Sequence, residues 1–256
     1  MPRREPTNPV ARAARETRDA AESAVAAAVA SLARRLSPRG RLGLGTAVGT
    51  LLWAVDFRHR RVARDNVGLA YGGRLTAREA GRLARRSMQN LARVGIGLLG
   101  AGYETGTPAL LPMRVEGWER IDVALSRGKG ALVFTGHLGN WELLALTLGR
   151  RGRPVASVAR PLDNPRLEAR VRRVRSSFGN SVIPKRGALL GAMRVLGAGN
   201  TVGLLIDQRP RSSGIPVPFF GRRAYTTEAL AALALRTGAA VLPACAVLEP
   251  EGSWRV

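Results

Sequence analysis

The stretch ALVFTGHLGNWELLAL, residues 131–146, joins two patterns that belong to different kinds of secondary structure. Its first five residues form an apolar run, which is typical of a strand in a covered sheet. The apolar residues after Asn140 fit a helix instead, and asparagine is a preferred residue at a helix N-terminus. The stretch therefore predicts a strand, a loop that contains His137, and a helix that begins after Asn140.

The same alternation of strand and helix continues to the end of the chain. Apolar strand-like runs occupy residues 154–159, 181–185, 201–207 and 239–248. Helical patterns occupy residues 141–150, 164–179, 188–199 and 226–238. Strands with so few polar positions indicate a sheet that helices cover on both faces. The sequence therefore predicts an α/β fold with a mostly parallel or mixed central sheet flanked by helices.

The chain divides into three segments by composition. Residues 1–40 are an extension rich in arginine and alanine, and they lack the apolar core of a signal peptide. Residues 41–60 contain a short hydrophobic helix, and residues 61–256 are expected to form the main domain. The last six residues, EGSWRV, look like a turn and the start of another strand. We therefore expect the main domain to be truncated at its C-terminus.

The hydrophobic helix is too short to cross a membrane by the usual criterion. Its uncharged part runs from Leu42 to Val55, whereas a spanning helix needs about 20 apolar residues. Flanking arginines and Trp53 near one end favour a membrane-associated helix that lies at the interface or is partly inserted. A buried core helix is the alternative interpretation.

A longer helix is predicted over residues 76–104, packed on the main domain. Thr76 precedes Glu79 by three residues, which is the spacing of a capping box. Apolar residues then recur at helical spacing, opposite a face rich in arginine. A shorter helix is predicted within residues 117–130.

The chain is strongly basic, with 41 Lys and Arg residues against 18 Asp and Glu residues and a formal charge of +23. Such a charge suits nucleic acid, an anionic membrane surface or an acidic carrier protein. A compositional bias of the genome explains the excess of arginine equally well. The single cysteine, Cys245, and the two histidines lie far apart in sequence, so we expect no metal site and no cofactor.

His137 and Glu142 are the residues near the opening stretch that suggest catalysis. Five residues apart, they would not share a face of one helix. We therefore expect His137 in the loop and Glu142 in the first helical turn, reaching back to orient the imidazole as a general base. No G-x-S-x-G nucleophile motif is present, which points to direct attack by a substrate hydroxyl. The alternative is a capped turn with a structural histidine.

The segments GHLGNWE, VARPLDNP, IDQRP and PFFGRRAYTT occur in this order and together resemble the bacterial lipid A biosynthesis acyltransferases and their relatives that acylate phosphatidylinositol mannosides. The resemblance extends from about Arg60 to the last residue. It implies that His137 and Glu142 form a catalytic dyad in a glycerolipid-acyltransferase-like fold. The other residues to which it assigns helper or substrate-binding roles are Arg160, Asp207, Gln208, Phe219 and Phe220. Both phenylalanines could instead be ordinary core residues.

The resemblance implies an acyltransferase that moves a fatty acyl chain from an acyl thioester to a hydroxyl of a glycolipid. The donor would be acyl carrier protein or acyl-CoA, and the backbone N–H groups around Gly139 and Asn140 or the Arg160 guanidinium would stabilise the oxyanion. The expected acceptor is a lipid A precursor, and a phosphatidylinositol mannoside or another glycolipid is the alternative. The expected location is the cytoplasmic face of the cell inner membrane, on its anionic surface. A basic nucleic-acid-binding protein is the non-enzyme alternative, but the sequence lacks its usual motifs and nucleic acid is not expected as a partner.

Overall fold

The computed structural model describes residues 8–100, 113–210, 214–249 and 253–256. The strands in these ranges are β1 (Met113–Arg114), β2 (Ala131–Thr135), β3 (Val155–Ala159), β4 (Ser181–Pro184), β5 (Thr201–Leu205), β6 (Ile215–Phe219), β7 (Arg222–Thr226), β8 (Ala240–Pro243), β9 (Val247–Leu248) and β10 (Trp254–Arg255). The helices are α1 (Pro9–Arg35), α2 (Pro38–Val55), α3 (Phe57–Tyr71), α4 (Ala77–Leu99), α5 (Glu119–Leu125), α6 (Trp141–Arg150), α7 (Pro165–Arg175), α8 (Ala188–Gly197) and α9 (Ala229–Thr237).

The central sheet has five parallel strands in the order β4-β3-β5-β2-β8. This confirms the predicted α/β fold with helices around a mainly parallel sheet. A smaller sheet joins β1, β10 and β9, and β6 pairs with β7 in a separate hairpin. The predicted strand over residues 239–248 is two strands, because β8 ends at Pro243 and the chain then turns towards the loop after β2.

Both faces of the central sheet are buried, as its apolar strands predicted. On one face, Leu132 and Val202 pack against Leu196 of α8 and Leu233 of α9. On the other face, the adjacent Val133 belongs to a cluster with residues of α5 and α6. Successive side chains of a strand point to opposite faces, so each of these short strands contributes to both halves of the core.

Helices α1 to α4 form a layer against α6 and α7. The capping box of α4 is present, since the Thr76 hydroxyl accepts from the Glu79 N–H and the Glu79 carboxylate accepts from the Thr76 N–H. The predicted helix over 76–104 ends at Leu99, and its last four residues lie outside the described ranges. Within those ranges, no helix is both long enough and apolar enough to span a bilayer.

Two glycines allow α2 to lie unusually close to α4. A Cβ atom added to Gly49 would lie 2.4 Å from the Cα atom of Gln89, and one added to Gly45 would lie 2.7 Å from the Cα atom of Arg93. These neighbours are backbone atoms, so they cannot move aside as the end of a flexible side chain would. The polar residues of the same seam are also paired, since Gln89 donates to the Thr50 hydroxyl and Arg93 donates to the Thr46 hydroxyl.

We expect Gly49→Ala to lower the free energy of unfolding by about 1–3 kcal/mol, because the added methyl group forces α2 away from α4. Gly43→Ala is the matched control, since it lies in the same helix with nothing within 4 Å of the added Cβ. That control should stabilise the protein by up to about 1 kcal/mol, the usual gain of alanine over glycine in a helix. Urea titrations of both variants test this, and equal stability of the two would contradict the close approach.

Candidate active site

The candidate site lies at the carboxyl edge of the central sheet, where parallel α/β folds collect their ligand-binding loops. Thr135 at the end of β2 is paired with Leu205 at the end of β5. His137 and Asp207 each follow two residues later, so they leave the sheet at the same level. Arg160 directly follows β3, the neighbour of β5 on its other side. The structure thus brings three sequence-predicted residues to adjacent loops.

The loop from Gly136 to Asn140 is fixed by backbone contacts on two sides. Gly139 has a φ of +61°, and a Cβ atom there would lie 1.7 Å from the carbonyl oxygen of Ala246, so only glycine fits. The Asn140 N–H donates to that carbonyl at 2.9 Å, and the Asn90 side-chain amide of α4 donates to the Gly139 carbonyl at 3.0 Å. His137 is therefore presented from a loop held between α4 and the segment after β8.

The helix after this loop begins where the sequence predicted. The buried Asn140 side chain accepts a hydrogen bond from the Leu143 N–H at 3.0 Å, which makes Asn140 the N-cap of α6. His137 lies before the helix and Glu142 in its first turn, as expected. Because the Asn140 N–H is already bound to Ala246, it is not free to stabilise an oxyanion in this geometry. The Gly139 N–H and the Arg160 guanidinium remain as the predicted oxyanion donors.

The carboxylate that contacts His137 is that of Asp207. His137 Nδ1 lies 2.8 Å from Asp207 Oδ1, and the His137 backbone N–H donates to Asp207 Oδ2 at 2.6 Å. An ionised carboxylate can only accept hydrogen bonds, so the imidazole proton is on Nδ1 and Nε2 carries the lone pair. The Gln208 side-chain nitrogen lies 3.3 Å from Nε2, where it can donate to that lone pair. The imidazole is therefore held in the tautomer that leaves Nε2 able to take a proton.

Glu142 has a different neighbour from the one that the sequence predicted. Its carboxylate is bound by Arg175 of α7, with Arg175 Nη2 2.5 Å from Oε1 and Arg175 Nε 3.0 Å from Oε2. The reason is that α6 packs beside α7, so a side chain in its first turn meets α7, whereas the His137 side chain faces Asp207 in the loop after β5. Asp207, already predicted to line the site, occupies the place at His137 that we had expected for Glu142.

The Glu142–Arg175 pair is largely buried, with 12% and 21% of the two side chains exposed. Burial lowers the pKa of the Arg175 guanidinium, but the hydrogen bonds and charge of Glu142, with a smaller contribution from Glu168, more than offset this and leave the pKa above its ordinary value. Sequence reasoning missed Arg175. The available signal was its position four residues after Val171, which places this arginine on the apolar face of a basic helix.

The remaining predicted residues lie outside this hydrogen-bonded cluster. Arg160 is exposed and its guanidinium donates to the Asp163 carboxylate at 2.6 Å. Phe219 and Phe220 lie at the tip of the β6–β7 hairpin with 61% and 60% of their surface exposed. The alternative that these phenylalanines are core residues is therefore wrong.

An apolar cavity of about 620 Å³ opens beside the site, between α5, α6 and the β2–β8 part of the sheet. Its walls are mainly aliphatic and aromatic side chains, and Gly136 and Asp207 lie at its border. Five of the apolar residues that line it are Ile121, Val133, Leu144, Leu148 and Leu242. The arrangement can hold an apolar chain next to a histidine that is prepared to act as a base.

Comparison with known proteins identifies the family. The family model for the bacterial lipid A biosynthesis acyltransferases matches residues 9–256. The chain belongs to this family. The match confirms the resemblance seen in the sequence motifs, and it includes the loops that carry His137 and Asp207.

The names of similar proteins refer to two different glycolipids, phosphatidylinositol mannoside and lipid A. The phosphatidylinositol mannoside acyltransferase of Mycobacterium tuberculosis is 32% identical over 142 residues, which is 54% of this chain and 45% of that protein. Its counterpart in Mycolicibacterium smegmatis is 32% identical over 133 residues, which is 50% of this chain and 44% of that protein. The lipid A biosynthesis lauroyltransferase of Escherichia coli K12 is 29% identical over 221 residues, which is 82% of this chain and 68% of that protein. The matches to the mycobacterial relatives thus span about half of their length.

We expect Glu142→Ala to lower the free energy of unfolding by about 3 kcal/mol, because it leaves the Arg175 charge buried without its partner. The double variant Glu142→Leu/Arg175→Met should recover most of that loss, since it removes both charges and keeps apolar volume between α6 and α7. Thermal and urea unfolding measure both effects. If the double variant is no more stable than Glu142→Ala, the ion pair is not what joins these helices.

Proposed function

We propose that this protein transfers a fatty acyl group from a thioester donor to a hydroxyl group of a glycolipid, with His137 as the general base. The observation that carries the proposal is the Asp207 carboxylate on His137 Nδ1, which leaves Nε2 to accept a proton. The adjacent apolar cavity supports it, because a fatty acyl chain needs such a space beside the reacting carbonyl.

The reaction is one of direct attack. His137 Nε2 takes the proton of the acceptor hydroxyl as its oxygen attacks the thioester carbonyl carbon. The Asp207 carboxylate stabilises the imidazolium that forms. When the tetrahedral intermediate collapses, the carbon–sulfur bond breaks and the thiolate recovers the proton from the imidazolium. The Gly139 N–H and the Arg160 guanidinium are the donors proposed for the oxyanion.

Glu142, the predicted dyad partner, is proposed to support this chemistry as a positioning residue. Its ion pair with Arg175 holds α6 against α7, and α6 begins directly after the loop that carries His137. Trp141, the first residue of α6, also contacts the imidazole edge to face, with ring centroids 4.7 Å apart. A shift of α6 would therefore move His137 relative to Asp207.

A membrane surface is proposed as the place where the acceptor is met, on the cytoplasmic face of the inner membrane. The end of α2 and the start of α3 expose the apolar side chains of Leu51, Val55 and Phe57. The Arg60 guanidinium lies 4.6 Å from the ring centroid of Phe57, so positive charge accompanies this apolar surface. Such a combination favours contact with anionic lipid headgroups. The arginines of α7 offer a surface for an acidic acyl carrier protein, and acyl-CoA is the alternative donor.

Two acceptors are proposed, and each has a finding in its favour. A lipid A precursor agrees with the family description and with the E. coli relative that matches 82% of the chain. A phosphatidylinositol mannoside agrees with the higher identity of the mycobacterial relatives. Mass spectrometry of the products formed from each purified acceptor distinguishes them, because the acylated products differ in mass and in fragmentation.

We expect His137→Ala to lower the acyl-transfer rate by about a hundredfold or more, the usual contribution of a general base. Asp207→Asn should act similarly, because its amide can donate to Nδ1 and so place the imidazole proton on Nε2. The chain offers matched controls in the exposed pair of His59 and Asp56, whose Nδ1–Oδ2 distance is 2.6 Å. His59→Ala and Asp56→Asn should leave the rate with detergent-dispersed acceptor unchanged, because that form of acceptor does not depend on the membrane surface proposed for the α2–α3 junction, where this pair lies. Full activity of the His137→Ala variant would refute the assignment of the base.

We expect Ala244→Phe to shorten the acyl chains that the enzyme accepts, because Ala244 lines the cavity and a phenyl ring would fill part of it. The ratio of kcat/KM between long and short acyl donors should fall, with little change for the shortest donor. Leu190→Phe is the control, since Leu190 is 62% exposed on α8 and does not line the cavity. An unchanged donor profile in Ala244→Phe would show that the acyl chain lies elsewhere.

A further inference from the structure

The β6–β7 hairpin projects from the loop that holds the partner of His137. Among the described residues its strands pair only with each other, with Ile215 opposite Thr226 and Phe219 opposite Arg222. At its base the Thr226 hydroxyl donates to the Ile206 carbonyl at 2.7 Å. Ile206 directly precedes Asp207, so the direction of the hairpin is fixed relative to the site.

The tip of the hairpin presents two large aromatic side chains to solvent. Phe220 and Gly221 have φ values of +50° and +71°, as a two-residue turn between right-twisted strands requires. Phe219 and Phe220 are 61% and 60% exposed, and their rings contact each other edge to face with centroids 4.7 Å apart. No residue from 214 to 227 is buried. The core therefore gains nothing from these rings, and an exposed apolar tip of this kind marks a contact surface.

Positive charge surrounds the aromatic tip. Arg222 and Arg223 are exposed and follow the turn directly. The Arg209 guanidinium lies 5.5 Å from the ring centroid of the exposed Tyr225 nearer the base. Residues 214–227 contain no aspartate or glutamate. Aromatic rings with adjacent arginines are typical of segments at the interface of an anionic bilayer, where rings enter the headgroup region and arginines bind phosphates.

The free edge of β6 is unsuited to pairing with another strand. With a two-residue turn after Phe219, the backbone nitrogens of residues 216 and 218 face away from β7. Both positions are proline, which has no N–H to donate. Strand addition by a second copy of the chain or by an extended peptide is therefore disfavoured, whereas a lipid surface needs no such donor.

We propose that the β6–β7 hairpin inserts its Phe219–Phe220 tip into the headgroup region of an anionic bilayer and so holds the site of His137 at the lipid surface. Arg222 and Arg223 bind the lipid phosphates around the tip. The hairpin base at Ile206 then brings the hydroxyl of a lipid acceptor towards Nε2 without removing the lipid from the bilayer. This last consequence rests on the proposed function, whereas insertion itself does not.

An environment-sensitive nitrobenzoxadiazole label on Phe220→Cys tests insertion directly. Cys245 is replaced by serine so that the label has one site, and vesicles of phosphatidylcholine with and without phosphatidylglycerol are the probes. We expect a blue shift and quenching by brominated lipid with the anionic vesicles. A label on Leu235→Cys is the matched control, because Leu235 is 87% exposed near the C-terminus of α9. That helix leads into the start of β8, at the amino edge of the parallel sheet, whereas the hairpin follows the carboxyl edge.

The two labels separate hairpin insertion from binding through α2 and α3. If the protein binds the vesicles while the label at position 220 stays in water, the proposal is overturned. It is also overturned if that label shifts on addition of acyl carrier protein and not with vesicles, because the tip would then be a protein-docking surface. Phe219→Ser/Phe220→Ser should weaken vesicle partitioning by about tenfold or more, and Leu235→Ser should not.

Activity assays show what insertion contributes to turnover. With acceptor in anionic vesicles, we expect Phe219→Ser/Phe220→Ser to lower kcat/KM about tenfold, whereas detergent-dispersed acceptor should be acylated at the wild-type rate. Equal losses with both forms of acceptor would place the phenylalanines inside the site and overturn the membrane proposal. If the unmodified protein acylates neither acceptor while the label at position 220 enters the bilayer, the proposed function fails and the insertion proposal stands.

Discussion

The contact between His137 and Asp207 depends on the register of two parallel strands. β2 and β5 are adjacent, and their last paired residues, Thr135 and Leu205, lie side by side. His137 lies two residues after Thr135, and Asp207 lies two residues after Leu205, so the imidazole and the carboxylate leave the sheet at the same level. A shift of one residue between the strands would turn one of these side chains towards the opposite face of the sheet. The buried strands fix the register because both of their faces pack against helices.

The surrounding structure keeps this contact in place. The His137 loop is held by the approach of Gly139 to Ala246 and by the amide of Asn90 from α4. The α6 helix that follows the loop is joined to α7 by the Glu142–Arg175 ion pair. The N-terminal helices therefore support the candidate site: α4 contacts the loop that carries His137, and α2 lies against α4 through its glycines. Such support from several directions is what a catalytic histidine needs to keep one tautomer and one orientation.

Apolar surface is distributed around the site in two forms. The cavity between α5, α6 and the sheet is a concave, half-open pocket, whereas the hairpin tip and the end of α2 are exposed surfaces. A concave apolar pocket suits a single acyl chain, and exposed aromatic residues beside arginines suit a lipid surface. An enzyme that joins a fatty acyl chain to a lipid acceptor would need both, with the reacting groups between them. The site lies at the border of the cavity and at the base of the hairpin.

The sequence by itself determined the strands of the central sheet, most of the helices and the order of the motifs, because these depend on local periodicity, capping residues and turns. Asn140 as N-cap, the capping box of Thr76 and Glu79, and the loop position of His137 all followed from spacing. The sequence also predicted Asp207 and Gln208 as residues of the candidate site, through the family resemblance. Only the tertiary structure decided which carboxylate contacts His137. That choice depends on the order and register of strands 70 residues apart and on the packing of α6 against α7, which single-chain periodicity does not encode. For the same reason the exposure of Phe219 and Phe220 could not be read from their apolar character alone, since a hairpin that leaves the sheet buries neither of them.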